Sequence, residues 1–320
     1  MSSALTERTV IMKRIPIVID VDTGTDDAIC INAALLCQDL LDIRAFTSVC
    51  GNVELEKTSR NTRDVVGFLG EDIPVARGAE RPLAQELHTA RSHGVSGLGD
   101  VVLPTSTRPF MAEPAWEVIY RCAVEAQGEL QLLGVGPLTN IALSIQHHPD
   151  IVPLIRKITI MGGCLRGGNM TMASEFNIYG DPEAAQIVFS SGIELCMVGL
   201  DVTLKPQLPD WVVEAVNTMH SPHAQLAAKI FSFMRRRQAE IGGDPPNVHD
   251  VIALSAIVCP RLITCEDYYI VVETEGEFTR GMTLADFSQV SEQPPNVHAA
   301  VAIDVEGFWN WFLQTLQKAE

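Results

Sequence analysis

The sequence has no apolar run long enough to cross a membrane, and it carries few positive charges. Its 23 lysine and arginine residues stand against 40 aspartate and glutamate residues, which gives a formal net charge of −17. A protein this acidic lacks the excess of basic residues that binding to nucleic acid requires, and anionic lipid repels it. We therefore expect no nucleic-acid partner and no membrane partner.

The sequence also lacks cysteine pairs with metal-binding spacing. None of its 8 cysteines forms a Cys-x-x-Cys pair, which argues against a zinc ribbon and a thioredoxin-type site. Several lie in apolar runs such as residues 193–198, so we expect small buried side chains and a reducing cytoplasmic location. Residues 1–14 show no signal-peptide pattern. We expect them to be an N-terminal extension that precedes one domain over residues 15–320.

Short apolar runs alternate with helical patterns along the whole of that domain. The runs 15–21, 43–49, 129–134, 155–161 and 194–200 predict strands, and the segments 26–40, 54–69, 138–146 and 182–190 predict helices. This alternation predicts a single-domain α/β fold, with a mostly parallel central sheet and helices on both faces. In such sheets, ligands bind outside the carboxyl ends of the strands.

Four carboxylates gather where the first predicted strand meets the first predicted helix. They are Asp20, Asp22, Asp26 and Asp27, and Gly24 between them permits a tight turn. Like charges at this spacing raise one another's pKa and oppose folding, which a helix N-terminus and a bound hard cation relieve. A solvated surface loop is the alternative. The position directly after an apolar strand favours a cation site.

Residues 17–28 resemble the N-terminal signature of the inosine–uridine nucleoside hydrolases. Further stretches similar to that family follow in the same order: Gly51-Asn52, His93-Gly94, Gly136-Pro137-Leu138-Thr139-Asn140, Met161-Gly162-Gly163, Gly168-Asn169, Glu175-Phe176-Asn177, Asp181-Pro182-Glu183-Ala184-Ala185 and His249-Asp250. The resemblance covers nearly the whole chain from residue 15 onward. It implies the Rossmann-like nucleoside hydrolase fold, a nucleoside substrate, hydrolysis of its N-glycosidic bond, and a role in purine or pyrimidine salvage.

The resemblance also implies a calcium ion. Its ligands would be the carboxylates of Asp22, Asp27 and Asp250 and the backbone carbonyl of Val135, a set that suits a hard cation with an affinity for oxygen. Asp22 and the ion would together orient and deprotonate the water that attacks the anomeric carbon.

Five more residues would hold the ribose, by the same resemblance. Asp26 and Asn177 would bind its 2′- and 3′-hydroxyls. Asn169 and Glu175 would bind the 5′-hydroxyl, and Asn52 would line the same pocket. Each asparagine taken alone is equally well explained as a turn or cap residue, so their joint occurrence carries the assignment.

The histidines have different expected roles. His249 precedes the predicted ligand Asp250, and we expect it to be the acid that assists the leaving base. His93 is expected to line the base pocket. His298 follows a copy of the Pro-Pro-Asn-Val sequence that lacks the aspartate, so we expect a structural role for it.

The sequence departs from the family pattern before His249. Relatives that handle particular bases often carry tyrosines there, whereas this chain has Phe231, Phe233, Met234 and the arginines of residues 235–237 on a predicted helix. This leaves the base preference open, since the apolar side chains of a helix can equally be its core face.

Two other functions remain open from the sequence. A haloacid-dehalogenase-like phosphatase would use the Asp20-x-Asp22 pair, but it leaves Asn169, Glu175 and His249 without a role. A non-catalytic nucleoside or ribose binder on the same scaffold is the other alternative. The resemblance further implies a homodimer or homotetramer.

Overall fold

Eight strands form one central sheet, and helices cover both of its faces. The computed structural model of the chain describes residues 13–90 and 92–320. The expected extension, residues 1–14, lies almost entirely outside the described residues.

The strands are β1 (Ile15–Val21), β2 (Leu41–Ser48), β3 (Val75–Arg77), β4 (Leu130–Gly134), β5 (Ile155–Met161), β6 (Leu195–Val198), β7 (Ile263–Tyr268), β8 (Ile270–Val272), β9 (Thr283–Ala285) and β10 (Val297–Ile303). The helices are α1 (Thr25–Leu35), α2 (Leu55–Phe68), α3 (Ala115–Ala126), α4 (Thr139–His147), α5 (Phe176–Gly180), α6 (Pro182–Phe189), α7 (Leu200–Thr203), α8 (Asp210–Asn217), α9 (Pro222–Ile241), α10 (His249–Val258) and α11 (Val305–Gln317). Two 3₁₀ turns, Pro149–Leu154 and Pro260–Leu262, precede β5 and β7.

The order of the central sheet is β3-β2-β1-β4-β5-β6-β10-β7. Every neighbouring pair in it is parallel except β10 and β7, which are antiparallel. A separate antiparallel hairpin joins β8 to β9. The prediction of an α/β fold with a mostly parallel sheet is confirmed. The antiparallel edge strand and the hairpin were not predicted.

Strand β1 shows how the two faces of the sheet are filled. Successive side chains of a strand point to opposite faces. Ile17 and Ile19 accordingly join one apolar cluster and Val18 joins another, and all three are buried. Helices α1, α9, α10 and α11 pack into the first cluster, and α3, α4 and α6 pack into the second. Because β1 is buried on both faces, its sequence is an almost continuous apolar run.

Two predicted elements end at least two residues earlier in the structure than predicted, and each has a tertiary cause. Helix α1 ends at Leu35 rather than at residue 40, because the carbonyl of Leu40 accepts the N–H of Ile15 at 2.8 Å at the start of the β1–β2 ladder. Strand β6 ends at Val198 rather than at residue 200. A Cβ on Gly199 would lie 2.6 Å from the carbonyl oxygen of Gly163, so the chain passes that backbone closely before α7 begins.

The carboxyl ends of β1, β2, β4, β5 and β6 all open onto one edge of the sheet. This follows from the parallel pairing of these strands. The segments that follow them contain most of the predicted site residues, and the N-terminus of α10 carries the last two. Within the part of the chain that the structure describes, no helix has both the length and the apolar character to span a bilayer.

Candidate active site

A cavity of about 820 Å³ lies at this edge of the sheet. Nine of the eleven predicted site residues line it: Asp26, Asn52, His93, Val135, Asn169, Glu175, Asn177, His249 and Asp250. The other two, Asp22 and Asp27, are fully buried and contact the cavity residue Asn52. The structure therefore brings together residues that span more than two hundred positions of the sequence.

The carboxylate of Asp27 organises the turn between β1 and α1. Its Oδ1 accepts the main-chain N–H of Asp22 at 3.0 Å, and its Oδ2 accepts that of Gly24 at 2.9 Å. The Asn52 side chain donates a third hydrogen bond to Oδ2 at 3.1 Å. An acidic side chain that caps the first turn of a helix is favoured by the helix dipole. Asp27 is thus fixed in place by donors from two loops.

Asp22 occupies a narrow space behind the cavity. Its Oδ2 accepts the main-chain N–H of Asn52 at 2.7 Å, whereas its Oδ1 is buried without a hydrogen-bond partner among the described residues. A Cβ on Gly51 would lie 2.1 Å from Oδ2, and a Cβ on Gly136 would lie 2.8 Å from Oδ1. An unpaired buried carboxylate oxygen is costly, so this atom is suited to a ligand that the protein does not itself provide.

Three carboxylates converge at the mouth of this space. Ligand atoms of Asp26, Asp27 and Asp250 all lie within 4.8 Å of one another. Compared with the predicted ligand set, this cluster contains Asp26 and lacks Asp22. Three buried oxygens at such distances, with the free Oδ1 of Asp22 nearby, are a donor set that fits a hard cation.

Burial and mutual repulsion also act on the ionisation of this cluster. Burial, reinforced by the neighbouring carboxylates, raises the pKa of Asp22 and of Asp250 well above the usual range. Burial first, and then the charge of Asp26, raises the pKa of Asp27 to about 7. So many carboxylates in one buried place cannot all be ionised without a compensating positive charge.

Glu175 and Asn177 lie at the N-terminus of the short helix α5. The carboxylate of Glu175 accepts main-chain N–H groups from Gly163 at 2.9 Å, from Asn177 at 2.9 Å and from Ile178 at 3.2 Å. Burial nevertheless raises the pKa of Glu175 to about 7. The Asn177 side-chain amide donates to the carbonyls of Val135 at 2.9 Å and Met161 at 3.0 Å. Its Oδ1 is the atom left for a ligand.

Asn169 lies on the other side of the same helix start. Its Oδ1 accepts the main-chain N–H of Phe176 at 2.9 Å, which leaves its amide group to donate into the cavity. Asn52 and Asn169 are therefore both held by a contact to the protein and both line the cavity. Each of these asparagines can therefore keep its contact to the protein and still bind a ligand in the cavity.

Both predicted cavity histidines are bound to a threonine. His93 Nδ1 accepts the main-chain N–H of Thr25 at 3.1 Å and lies 2.8 Å from its hydroxyl. His249 Nδ1 lies 2.9 Å from the hydroxyl of Thr203. Burial lowers the pKa of each histidine, so both rings are more readily neutral than an exposed imidazole.

His298 is separate from this site. It lies on β10, and its Nδ1 pairs with Asp267 on the antiparallel neighbour β7. Its side chain is half-exposed and does not line the cavity. The structural role expected for it fits this position.

Four further residues line the cavity; the sequence pointed to Met234 and Arg237 without placing them in the site, and did not point to Leu204 or Gln238. Met234, Arg237 and Gln238 reach the cavity from α9, and Leu204 reaches it from the end of α7. Phe231 and Phe233, by contrast, are buried against the core. The helix before His249 therefore serves both purposes that the sequence left open, because one face packs and another lines the cavity. A helical period through residues 230–238 is the signal that separates the two.

Known proteins share both the sequence and the fold. The chain is 39% identical over 307 residues to the non-specific ribonucleoside hydrolase RihC of Klebsiella pneumoniae (strain 342), covering 96% of this chain and 99% of the relative. It is 40% identical over 311 residues to the RihC of Escherichia fergusonii, again covering 96% and 99%. The structure of a purine-preferring ribonucleoside hydrolase from Gardnerella vaginalis superimposes with a TM-score of 0.89 at 30% identity, over 95% of this chain and 99% of that one.

The family match extends over the segments that build the cavity. The sequence matches the inosine-uridine preferring nucleoside hydrolases over residues 17–310. That range includes the aspartate turn after β1, the loop and helix after β5, and the His249-Asp250 pair that begins α10. Sequence and fold thus agree, and the chain belongs to the inosine–uridine preferring nucleoside hydrolase family.

Proposed function

We propose that this protein hydrolyses the N-glycosidic bond of ribonucleosides and releases free base and ribose. The observation that carries the proposal is the lining of the cavity. Carboxylates and amides line it together with two histidines, Leu204, Met234 and Arg237. The carboxylates and amides suit a hydroxyl-rich sugar, and the histidines and longer side chains suit a planar base. The names of the relatives, which describe ribonucleoside hydrolases, support the same assignment.

The ribose contacts follow from the groups that the protein leaves free. The carboxylate of Asp26 and the Oδ1 of Asn177 are acceptors for the 2′- and 3′-hydroxyls. The amide of Asn169 and the carboxylate of Glu175 face the 5′-hydroxyl. Asn52 lines the same cavity beside Asp27. All five residues line the cavity, so one sugar can contact them together.

The metal of the proposal is calcium. The oxygen-only donor set of Asp22, Asp27, Asp250 and the Val135 carbonyl is of the type that calcium prefers, and the cluster of Asp26, Asp27 and Asp250 within 4.8 Å supports a cation at this position. A bound calcium ion would lower the pKa of a coordinated water and neutralise part of the carboxylate charge.

Asp22 is the proposed base of the reaction. Its free Oδ1 accepts the proton of the attacking water. The oxygen of that water bonds to the anomeric carbon while the bond to the base nitrogen breaks. The positive charge that develops on the ribosyl group is stabilised by the nearby carboxylates of Asp26 and Glu175.

His249 assists the departure of the base. It lines the cavity at the N-terminus of α10, beside Asp250. His93 lines the same region from the loop that covers the aspartate turn. A base leaves more readily when a donor contacts the nitrogen or oxygen that takes up the electron pair.

The alternatives from the sequence have less support. A phosphatase of the haloacid-dehalogenase type leaves Asn169, Glu175 and His249 without a role, although all three line the same cavity. Its first aspartate, Asp20, does not line the cavity and is hydrogen-bonded to Thr47 and Asn140. A non-catalytic ribose binder requires neither the free Oδ1 of Asp22 nor His249.

A panel of purine and pyrimidine nucleosides tests the reaction and reveals the base preference. We expect release of ribose with calcium present, and a fall in kcat of about 10²- to 10⁴-fold in Asp22→Asn. Asp72→Asn is the matched control, because the Asp72 side chain is 94% exposed. Release of phosphate from a phosphomonoester with no ribose from any nucleoside would support the phosphatase instead. Binding of nucleosides without turnover would support the binder.

Cytoplasmic location and assembly into a homodimer or homotetramer complete the proposal. Seven of the eight cysteines are buried and all eight are unpaired, which suits a reducing compartment. Light scattering on the purified protein, coupled to size-exclusion chromatography, distinguishes a monomer of 34.9 kDa from either assembly.

A further inference from the structure

The hydroxyl of Thr203 is the one protein group that contacts the His249 ring nitrogen Nδ1 in the part of the chain that the structure describes. Thr203 is the last residue of α7, and its side chain is fully buried. The distance from its Oγ1 to Nδ1 is 2.9 Å. Its main-chain carbonyl accepts the Asn247 amide at 3.1 Å. Thr203 therefore fixes both the histidine and the segment that leads into it.

The requirement that buried polar groups be paired determines the direction of this hydrogen bond. Within residues 13–90 and 92–320, Nδ1 is the only hydrogen-bond contact of the Thr203 hydroxyl. A buried hydroxyl with one acceptor in reach donates to it. Nδ1 of the neutral ring is then the acceptor, and the ring proton lies on Nε2.

The second cavity histidine shows the same arrangement with the direction independently fixed. A main-chain N–H can only donate, and that of Thr25 lies 3.1 Å from Nδ1 of His93. Nδ1 of His93 is therefore an acceptor, and its ring proton lies on Nε2. Thr25 and Thr203 lie in distant segments, and each binds Nδ1 of one cavity histidine. In both rings the proton therefore lies on the other nitrogen, Nε2. Both histidines line the cavity.

We propose that Thr203 is a positioning residue that keeps a proton on Nε2 of His249, where it faces the leaving base. This rests on the proposed function, since it assigns the atom through which His249 acts. The bond from the anomeric carbon to the base nitrogen breaks with its electron pair passing to the base. The Nε2–H group donates a hydrogen bond to the base as this negative charge develops, and the released base takes its proton from solvent water.

A threonine hydroxyl suits this task better than a carboxylate. A carboxylate partner accepts only, so it would hold the neutral ring with its proton on Nδ1 and leave Nε2 bare. The hydroxyl of Thr203 donates to Nδ1 when the ring is neutral and accepts from it when both nitrogens are protonated. Nε2 consequently carries a proton in both charge states, and a donor always faces the base.

Thr203→Val and Thr203→Ser test the proposal with two kinds of substrate. Valine has the shape of threonine without its hydroxyl, and serine keeps the hydroxyl. Inosine and uridine have poor leaving groups, whereas the leaving group of a nitrophenyl riboside requires no donor. We expect Thr203→Val to lower kcat for the nucleosides by at least about tenfold and to leave that for the nitrophenyl riboside within about twofold. Thr203→Ser should restore most of the loss.

Nitrogen NMR of protein with isotope-labelled histidine gives a readout that does not depend on turnover. The signals of His249 can be assigned from their loss in His249→Gln. Near neutral pH they should show an unprotonated Nδ1 and a protonated Nε2. In Thr203→Val we expect a mixture of the two tautomers.

Two results would overturn the proposal: a proton on Nδ1 of His249 in the unsubstituted enzyme near neutral pH, or an equal loss for both kinds of substrate in Thr203→Val at unchanged thermal stability. Failure of the proposed function looks different. In that case the unsubstituted enzyme releases ribose from neither substrate, which removes the role given to Nε2, while the nitrogen spectrum still reports the hydrogen bond.

Discussion

The side-chain amide of Asn140 holds Asp20 from a position 120 residues further along the chain. Its Nδ2 donates to Asp20 Oδ1 at 2.8 Å and to the carbonyl of Ser48 at 3.1 Å, and its Oδ1 accepts the main-chain N–H of Ala79 at 2.9 Å. Thr47 donates a further hydrogen bond to the same oxygen of Asp20. Burial still raises the pKa of Asp20 to about 7. Asp20 therefore joins β1, β2 and α4 at the base of the turn.

Replacement of Asn140 by alanine should destabilise the protein without removing a group from the cavity. Three hydrogen bonds are lost and their buried partners are left unpaired, which we expect to lower the free energy of unfolding by about 2–4 kcal/mol. Urea denaturation measures the change. Asn217→Ala is the control, because Asn217 is exposed at the end of α8. An equal free energy of unfolding for both variants would contradict this account of Asn140.

The buried carboxylates predict an unusual dependence of stability on pH when metal is removed. Burial raises the pKa of Asp20 and Asp27 from 3.8 to about 7, and that of Asp250 is also raised. Between pH 3.8 and about pH 7, the folded protein binds more protons than the unfolded chain. The free energy of unfolding must then fall as the pH rises through this range. We expect the melting temperature in chelator to be higher at about pH 5 than at about pH 7.5.

Calcium should counteract that fall, because it binds the ionised carboxylates. At about a hundredfold excess over Kd, a ligand of the folded state adds about 2.7 kcal/mol, which corresponds to a rise of roughly 3–5 °C for a chain of this size. We expect this rise at about pH 7.5 and a smaller one at about pH 5, where protons occupy the site. Sodium chloride at equal ionic strength is the control. A calcium shift of the same size at both pH values would be inconsistent with binding at these aspartates.

The regular elements were largely predictable from local sequence. Strands β1 and β5 have the predicted bounds, because each is a short apolar run that the sheet buries. Helix α1 is shorter than predicted, because its last residues instead lead into the pairing of Leu40 with Ile15. Strand β7 lies at a sheet edge, and four of its six residues are exposed. A weak apolar pattern of this kind gives little signal.

Residues that line the candidate site could be predicted where they lie in recognisable motifs, and not where contacts join distant segments. The aspartate turn and the His249-Asp250 pair each form a continuous stretch. Thr203 lies 46 positions from His249, and nothing in its local sequence distinguishes it from an ordinary helical threonine. The presence of Asp26 in the carboxylate cluster depends in the same way on how α1 and α10 approach each other.

Gly51 should tolerate no side chain, because Asp22 occupies the space beside it. A Cβ there would lie 2.1 Å from Asp22 Oδ2, the oxygen that Asn52 holds. We expect Gly51→Ala to lower kcat by at least about 10²-fold, since the proposed base would be displaced. The control is Gly134→Ala, whose Cβ would meet only the flexible apolar tips of Ile141 and Leu138 at 3.1 and 3.2 Å. Equal kcat values for the two variants would show that displacement of Asp22 does not affect catalysis.

Arg237 should affect the binding of the base. It lines the cavity from α9, its side chain is 41% exposed, and its Nη1 lies 3.4 Å from Glu240. That contact uses one of the five donors of the guanidinium, so others are free to reach the nitrogen and oxygen acceptors of a base. We expect Arg237→Ala to raise KM for nucleosides about tenfold, the value of one hydrogen bond to a charged group.

The neighbouring arginine provides a matched control for that measurement. Arg236 pairs with Asp100 at 2.6 Å and does not line the cavity, so Arg236→Ala removes the same charge without removing a cavity donor. The KM of Arg237→Ala for a nitrophenyl riboside should change less than its KM for nucleosides, because that substrate lacks the acceptors of a base. If both variants raise KM equally, the effect comes from net charge at the cavity entrance. Arg237 would then have no direct contact with the base.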